Sequence, residues 1–130
     1  MPRAYTIATA ALALETSTKW LDNTLSHNKV LGVGQEKQGV ARRITVDGLV
    51  TLSIVLLVTA ELGTTVGAAI EVAQRMIAEG GEFQSPSGLR ISLNLETFRS
   101  RLISRLETAV EVAPLPRRGR PPKNTTGRLE

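Results

Sequence analysis

Chemistry in a protein chain needs nucleophiles, titratable pairs, metal ligands or ordered charge, and this 130-residue sequence offers mainly the last of these. It contains no cysteine, which removes disulfides, thiolate metal sites and cysteine nucleophiles. Its one histidine, His27, has no acidic cluster nearby in sequence and is read as a surface or capping residue. No carboxylate pair, nucleophile–base set or metal cluster stands at a useful spacing, and Gly32-Val33-Gly34 is too little for a nucleotide fingerprint. An enzyme is therefore the weakest expectation, and neither a cofactor nor a metal is implied. What remains is cationic: Arg117, Arg118, Gly119, Arg120, Pro121, Pro122 and Lys123, in that order. Gly119 has no Cβ, so its backbone can press against a surface. Pro121 and Pro122 fix φ and favour an extended path. Arginines on both sides of a glycine can then point along a narrow, electronegative groove such as the A·T-rich minor groove of double-stranded DNA. The alternative for the same residues is a solvated basic tail that aids solubility or binds acidic surfaces without selectivity.

The charge is placed unevenly. From Pro114 onward Arg117, Arg118, Arg120, Lys123 and Arg128 stand against Glu130, a net of +4 that equals the excess of the whole chain. Up to Arg43 the balance is +3, whereas the stretch from Ile44 to Leu89 is acidic. A basic end, an acidic middle and a basic tail suggest one side that faces a polyanion. The length suits one compact domain with a tail. The only aromatic residues are Tyr5, Trp20, Phe83 and Phe98, so the core must be aliphatic. The opening Ala-rich run lacks the pattern of a secretory signal. Gly48 to Ala60 is uncharged and apolar but short of the ~20 residues a bilayer requires. It reads as a buried helix, and no membrane partner is expected. A cytoplasmic, nucleoid-associated location fits this composition.

The elements that would position these charges follow from periodicity and caps. Thr6 to Leu14 reads as a helix with Ile7, Ala10, Ala11 and Leu14 on one face. Ser17 is the N-cap of a second helix from Thr18 to about Ser26. Trp20, Leu21 and Leu25 turn inward there, and Lys19, Asp22, Asn23 and Ser26 outward. Val30–Gly34 and Val40–Ile44 flank a polar, Gly-terminated turn and read as a β-hairpin. Thr45 caps a helix that runs to about Leu62, with Val46, Leu49, Leu52, Val55 and Leu56 as its apolar stripe. Gly63 ends it, and Thr64 or Thr65 opens a helix that runs to Gly80-Gly81 with Val66, Ile70, Ala73 and Ile77 inside. Phe83 to Leu93 reads as a short second hairpin around Ser85-Pro86-Ser87-Gly88. Asn94 caps a last helix from Leu95 to about Val112, lined by Leu95, Phe98, Leu102, Leu106 and Val110, with Ile103 and Ala109 beside that row. Pro114 and Pro116 stop it, and the tail beyond is expected to be disordered without a ligand.

Two resemblances follow from these residues. Arg118-Gly119-Arg120-Pro121 with basic neighbours resembles an AT-hook. Two helices joined by a tight turn, then a hairpin, a helix, Gly63-Thr64-Thr65 and another helix is the order of a MerR-type winged helix-turn-helix DNA-binding domain. That likeness runs from Tyr5 to about Gly81. Gly39 to Leu49 resembles the family's wing-to-helix segment, where an Arg grips phosphate and a Ser/Thr caps the next helix. Glu61 to Val66 is similar to its break before the fourth helix, and Ser17 and Leu21 match the start of its recognition helix. The family usually places a basic residue just after the position of Leu21, followed by aromatics. Here Asp22, Asn23 and Thr24 stand there, and Ile44 replaces another aromatic. A long dimerising helix and a cysteine site, as in effector-sensing members, are lacking, so metal or drug sensing is not implied.

The expected fold class is thus mainly α with small β-hairpins. It comprises a winged helix-turn-helix over 1–81, a hairpin and helix for packing or dimerisation over 82–113, and a basic tail over 114–130. The expected DNA-binding residues are Thr18, Lys19 and Asn23 on the second helix, Lys37 at the wing tip, Arg42 and Arg43 where the wing meets the backbone, and the tail residues Arg117, Arg118, Gly119, Arg120, Pro121 and Lys123. Lys19 can donate to guanine or phosphate and Asn23 can make a paired contact to adenine. The alternatives are local capping or an Asp22–Lys19 link on the helix, and an ion pair of Arg42 or Arg43 with Glu36. The leading functional expectation is a transcriptional regulator, with a homodimer through 95–112 as an option for that helix and docking on the body as the other. Competing expectations are a nucleoid-organising or DNA-partition factor of broad A·T-rich preference, and an antitoxin or phage-type interaction adaptor. Two weak sites on one chain gain from effective concentration. Removing the chain from Pro114 should therefore weaken binding to an A·T-rich duplex in a titration, and unchanged affinity would take the tail out of the account.

Overall fold

The computed structural model describes residues 4–34 and 42–112, without the side chains of Glu111 and Val112. The expected wing tip with Lys37 and the whole tail from Pro114 lie outside the described residues. Within them the protein is mainly helical, with five helices and two small antiparallel sheets.

Helix α1, Ile7–Leu14, opens on Thr6, whose Oγ1 accepts from the Thr9 amide at 3.2 Å. It ends on Glu15, whose φ of 58° is left-handed and lets its N–H turn back to the carbonyls of Ala11 and Leu12. Two residues later Ser17 accepts from the Trp20 amide at 3.0 Å and starts α2, Thr18–His27. Leu21, Thr24 and Leu25 are buried, and Trp20 is only half-buried. The Ser17 cap and the turn before it stand where the sequence placed them, whereas Thr6, expected as the first residue of α1, is its N-cap.

Strands β1 (Ala4–Tyr5), β2 (Val33–Gly34) and β3 (Arg43–Thr45) form an antiparallel sheet in the order β1-β3-β2. Ile44, fully buried, pairs with Tyr5 on one side and Val33 on the other. The expected hairpin is present in β2 and β3, though both strands are shorter than their apolar runs. Val30 is buried outside the strand. Strand β1 was not expected, because two residues are too few to show a period of two.

Helix α3, Val46–Leu62, is capped by Thr45 and ends at Gly63, whose φ of 67° suits glycine. The sequence implied one apolar stripe. In the structure every residue from Gly48 to Val55 is buried, Val50, Thr51, Ser53 and Ile54 included, while Val46 and Leu56 are half-buried. The reason is position: α1, α4 and α5 all pack on α3, so it is covered on several faces at once. Helix α4, Val66–Ala78, is capped by Thr65, whose Oγ1 accepts from Ala68 at 3.2 Å. Its buried face is Ala69, Ile70, Ala73 and Met76, which keeps Ile70 and Ala73 of the expected row. Val66 and Ile77 are half-buried, because small Ala69 and Ala73 let α4 close on α3 along a slightly rotated line.

Gly80 and Gly81 turn the chain into strands β4 (Glu82–Gln84) and β5 (Arg90–Ser92), paired antiparallel as expected. Helix α5, Leu95–Val112, starts with Asn94 Oδ1 accepting from the Thr97 amide at 3.0 Å. Leu102, Leu106 and Ala109 are buried, largely against α1, so the apolar stripe docks on the body. Val110 departs from the expected stripe. It is 41% exposed, as Ile103 is 40%, because both lie to the side of the line that meets α1.

The junction between sheet and α3 depends on two glycines. Gly32 has φ +90°, and a Cβ there would stand 2.6 Å from the Gly48 nitrogen. A Cβ on Gly48 would stand 2.9 Å from the Gly32 carbonyl oxygen and 3.1 Å from its carbon. Helix propensity favours alanine over glycine in a helix, but here the obstacle is backbone, which cannot step aside. In urea denaturation Gly48→Ala should lower stability by ~1–3 kcal/mol, as overpacking does. Gly67→Ala should raise it by about 0.4–1 kcal/mol, since its Cβ meets only Asn28 Oδ1 at 4.0 Å. Equal effects of one sign would contradict the close approach.

Candidate nucleic-acid interface

The outward face of α2 is built by its cap and its inward residues. Once Leu21, Thr24 and Leu25 are buried, the 3.6-residue period leaves Thr18, Lys19, Asp22, Asn23 and Ser26 exposed. They are not equally available. Ser26 Oγ donates to the Asp22 carbonyl at 2.7 Å. His27 Nδ1 lies 2.8 Å from the Asn23 carbonyl oxygen, which can only accept, so the imidazole is folded along the helix surface. The side chains of Thr18, Lys19 and Asn23 have no hydrogen bond or ion pair among the described residues. Lys19 and Asn23 sit one turn apart and share a face.

Arg42 precedes β3 and is brought to this helix. Its Nη1 lies 3.7 Å from Asp22 Oδ1, with the arginine side chain 22% exposed and the aspartate 59%. Arg42 also lines a shallow groove with Leu25, Asn28, Lys29, Val30 and Val33. Its aliphatic stem is therefore covered while its head stays beside α2. Arg42 thus lies between Asp22, at the middle of α2, and Lys29, just beyond its end. Arg43 is exposed and pairs through the backbone with Gly34 in β2. It makes no side-chain contact with α2 among the described residues. The sequence offered Lys19 as the partner of Asp22 and Glu36 as the partner of Arg42 or Arg43. Asp22 pairs with Arg42 rather than with Lys19, because the antiparallel sheet carries the start of β3 back to α2. Glu36, Lys37, Arg117, Arg118, Gly119, Arg120, Pro121 and Lys123 lie outside the described residues.

Other arginines are committed to the fold. Arg99 Nη2 donates to Asp47 Oδ1 at 2.7 Å, joining the first turns of α5 and α3. Arg105 Nε donates to the Ala13 carbonyl at 2.9 Å, one of the carbonyls that the last turn of α1 leaves without a helical partner. Arg75 stacks 4.7 Å above the Phe83 ring and donates to the Gln84 carbonyl, tying α4 to β4. Arg99 and Arg105 carry no sequence signal for these roles. Their partners are 52 and 92 positions away, so no local pattern could have revealed them.

Among the described residues no group of three or more His, Cys, Asp and Glu side chains could hold a metal ion. Among them, too, no helix is long and apolar enough to cross a membrane. Comparison with protein-family models, with curated proteins and with solved structures finds no match to this chain.

The Asp22–Arg42 contact is long and its carboxylate is exposed, and such pairs contribute little to stability. A double-mutant cycle with Asp22→Ala and Arg42→Ala, followed by urea denaturation, should give a coupling of about 0.2–1 kcal/mol. Both variants should then remain folded, and a coupling several times larger would make the pair a structural one.

Proposed function

We propose that this chain binds double-stranded DNA as a winged helix-turn-helix protein of MerR type and acts as a transcriptional regulator. In this reading α2 is the recognition helix, the β2–β3 hairpin is the wing, and the basic tail from Pro114 is an AT-hook-like minor-groove contact. The observation that carries it is the placement of Arg42 beside the exposed face of α2, 3.7 Å from Asp22. It adds a wing cation to the helix that also carries Lys19 and Asn23, the two residues of α2 best able to reach base edges or phosphate. The +4 net charge of the tail adds attraction to the same polyanion. A cytoplasmic, nucleoid-associated location belongs to this proposal. So does a homodimer, to which residues 95–112 could contribute only what docking leaves exposed, such as Ile103 and Val110. A dimer would present two heads to a pseudo-palindromic site.

Fluorescence anisotropy with a labelled A·T-rich duplex, measured from low to moderate salt, tests the reading. Binding should weaken steeply as salt rises. Arg42→Ala and Arg43→Ala should each weaken binding, and each lost phosphate contact should flatten the salt slope by about one. A double variant with the affinity and slope of the parent would overturn the proposal.

A further inference from the structure

We infer that Asp22 is the residue through which α2 selects a base pair, by accepting the exocyclic amine of cytosine in the major groove. This rests on the DNA-binding reading above. An acidic residue at the centre of a surface meant for a polyanion requires a reason, since a carboxylate beside phosphates repels them. Two roles would supply one. Asp22 could serve only to hold Arg42, or its carboxylate could meet a donor on the DNA.

The geometry favours the second role. The contact to Arg42 is one long approach of 3.7 Å to Oδ1 alone, and the carboxylate remains 59% exposed. Oδ2 has no hydrogen bond or ion pair among the described residues. Neighbouring polar groups do not draw on it, because Ser26 bonds to the backbone carbonyl of Asp22 and His27 to that of Asn23. Among the described residues Asp22 thus keeps one carboxylate oxygen open on the exposed face of α2.

The major groove then narrows the choice of partner. A carboxylate offers acceptors only. Guanine presents only acceptors there, and thymine presents an acceptor and a methyl group, so both reject it. Adenine offers N6–H beside the N7 acceptor, a mixed edge that suits an amide such as Asn23 better than a carboxylate. Cytosine offers its N4 amine with no acceptor of its own on that edge. The guanine paired with it presents O6 and N7, which suit the ammonium of Lys19, three residues before Asp22 on the same helix face. Lys19 and Asp22 together therefore fit a G·C pair, or adjacent pairs, with opposite polarity on opposite strands. Arg42 compensates part of the negative field, and the remainder discourages phosphate and the wrong bases. The site gains discrimination by giving up nonspecific affinity.

Selection of the full-length chain against a randomised duplex library at fixed salt tests this, with Asp22→Ala and Asp22→Asn run in parallel. The parent should enrich a motif with a fixed C·G position. Asp22→Ala should lose about tenfold or more in discrimination at that position alone, while binding a random duplex several-fold more tightly. Asp22→Asn should shift that position toward adenine, as an amide with both donor and acceptor does. Circular dichroism confirms that each variant is folded. A parent motif that survives Asp22→Ala unchanged, or one without a fixed C·G position, overturns the role of Asp22 and leaves DNA binding intact. No retention of any duplex by the parent chain overturns both.

Discussion

Thr45 is the point on which the rest of the structure depends. It ends β3 and caps α3 at once. Its amide donates to the Gly32 carbonyl at 2.9 Å, its hydroxyl donates to the same oxygen at 3.0 Å, and that hydroxyl accepts from the Gly48 amide at 3.2 Å. Three bonds thus converge on one side chain and its own backbone. They fix the turn after α2, the end of the hairpin and the first turn of the central helix relative to each other. The approach is close enough that only glycine fits at 32 and 48. Because α3 is then buried along most of its length, the sheet cannot shift without moving the core. The position of Arg42 next to α2 follows from this anchoring.

The cations divide into two populations. Arg75, Arg99 and Arg105 are held by an aromatic ring, a carboxylate and a helix-end carbonyl. Each joins elements distant in sequence, and together they attach the β4–β5 hairpin and α5 to the four-helix body. Lys19, Lys29, Arg42 and Arg43 remain on or beside α2 and the sheet, and among the described residues their one ion pair is the loose contact of Arg42 to Asp22. Lys19 and Lys29 stand at opposite ends of α2, and Arg42 is carried to the helix by the same antiparallel return that pairs β3 with β2.

Much of the fold was legible in the sequence because its signals are local. Ser17, Thr45, Thr65 and Asn94 are capping residues in type and in position, and each accepts a hydrogen bond from the amide three residues on; Thr6, read as the first residue of α1, caps it in the same way. Gly63 and the Gly80-Gly81 pair mark ends for the equally local reason that they adopt positive φ. Periodicity was a poorer guide where a helix is covered on several faces. The stripe read for α3 omitted Val50 and Ile54, and the row read for α4 chose Ile77 over Met76. Strand β1 was too short to register. At the candidate site the exposed residues of α2 were legible from its amphipathic pattern. The Asp22–Arg42 contact was not, since it depends on how a sheet folds back over twenty residues of chain. For the same reason Asp22 stood out in the sequence only as an anomaly in a basic surface.

The central claim is that one face, made by α2 and the start of β3, meets a DNA duplex. Amide chemical shifts of the isotope-labelled chain, followed while an A·T-rich duplex is added, measure this most directly. The account predicts that Thr18 to Ser26, Arg42 and Arg43 move first and most, while Glu82 to Ser92 and the exposed side of α4 stay still. Perturbations centred on α4 or the β4–β5 hairpin, or no perturbation at saturating duplex, would contradict it.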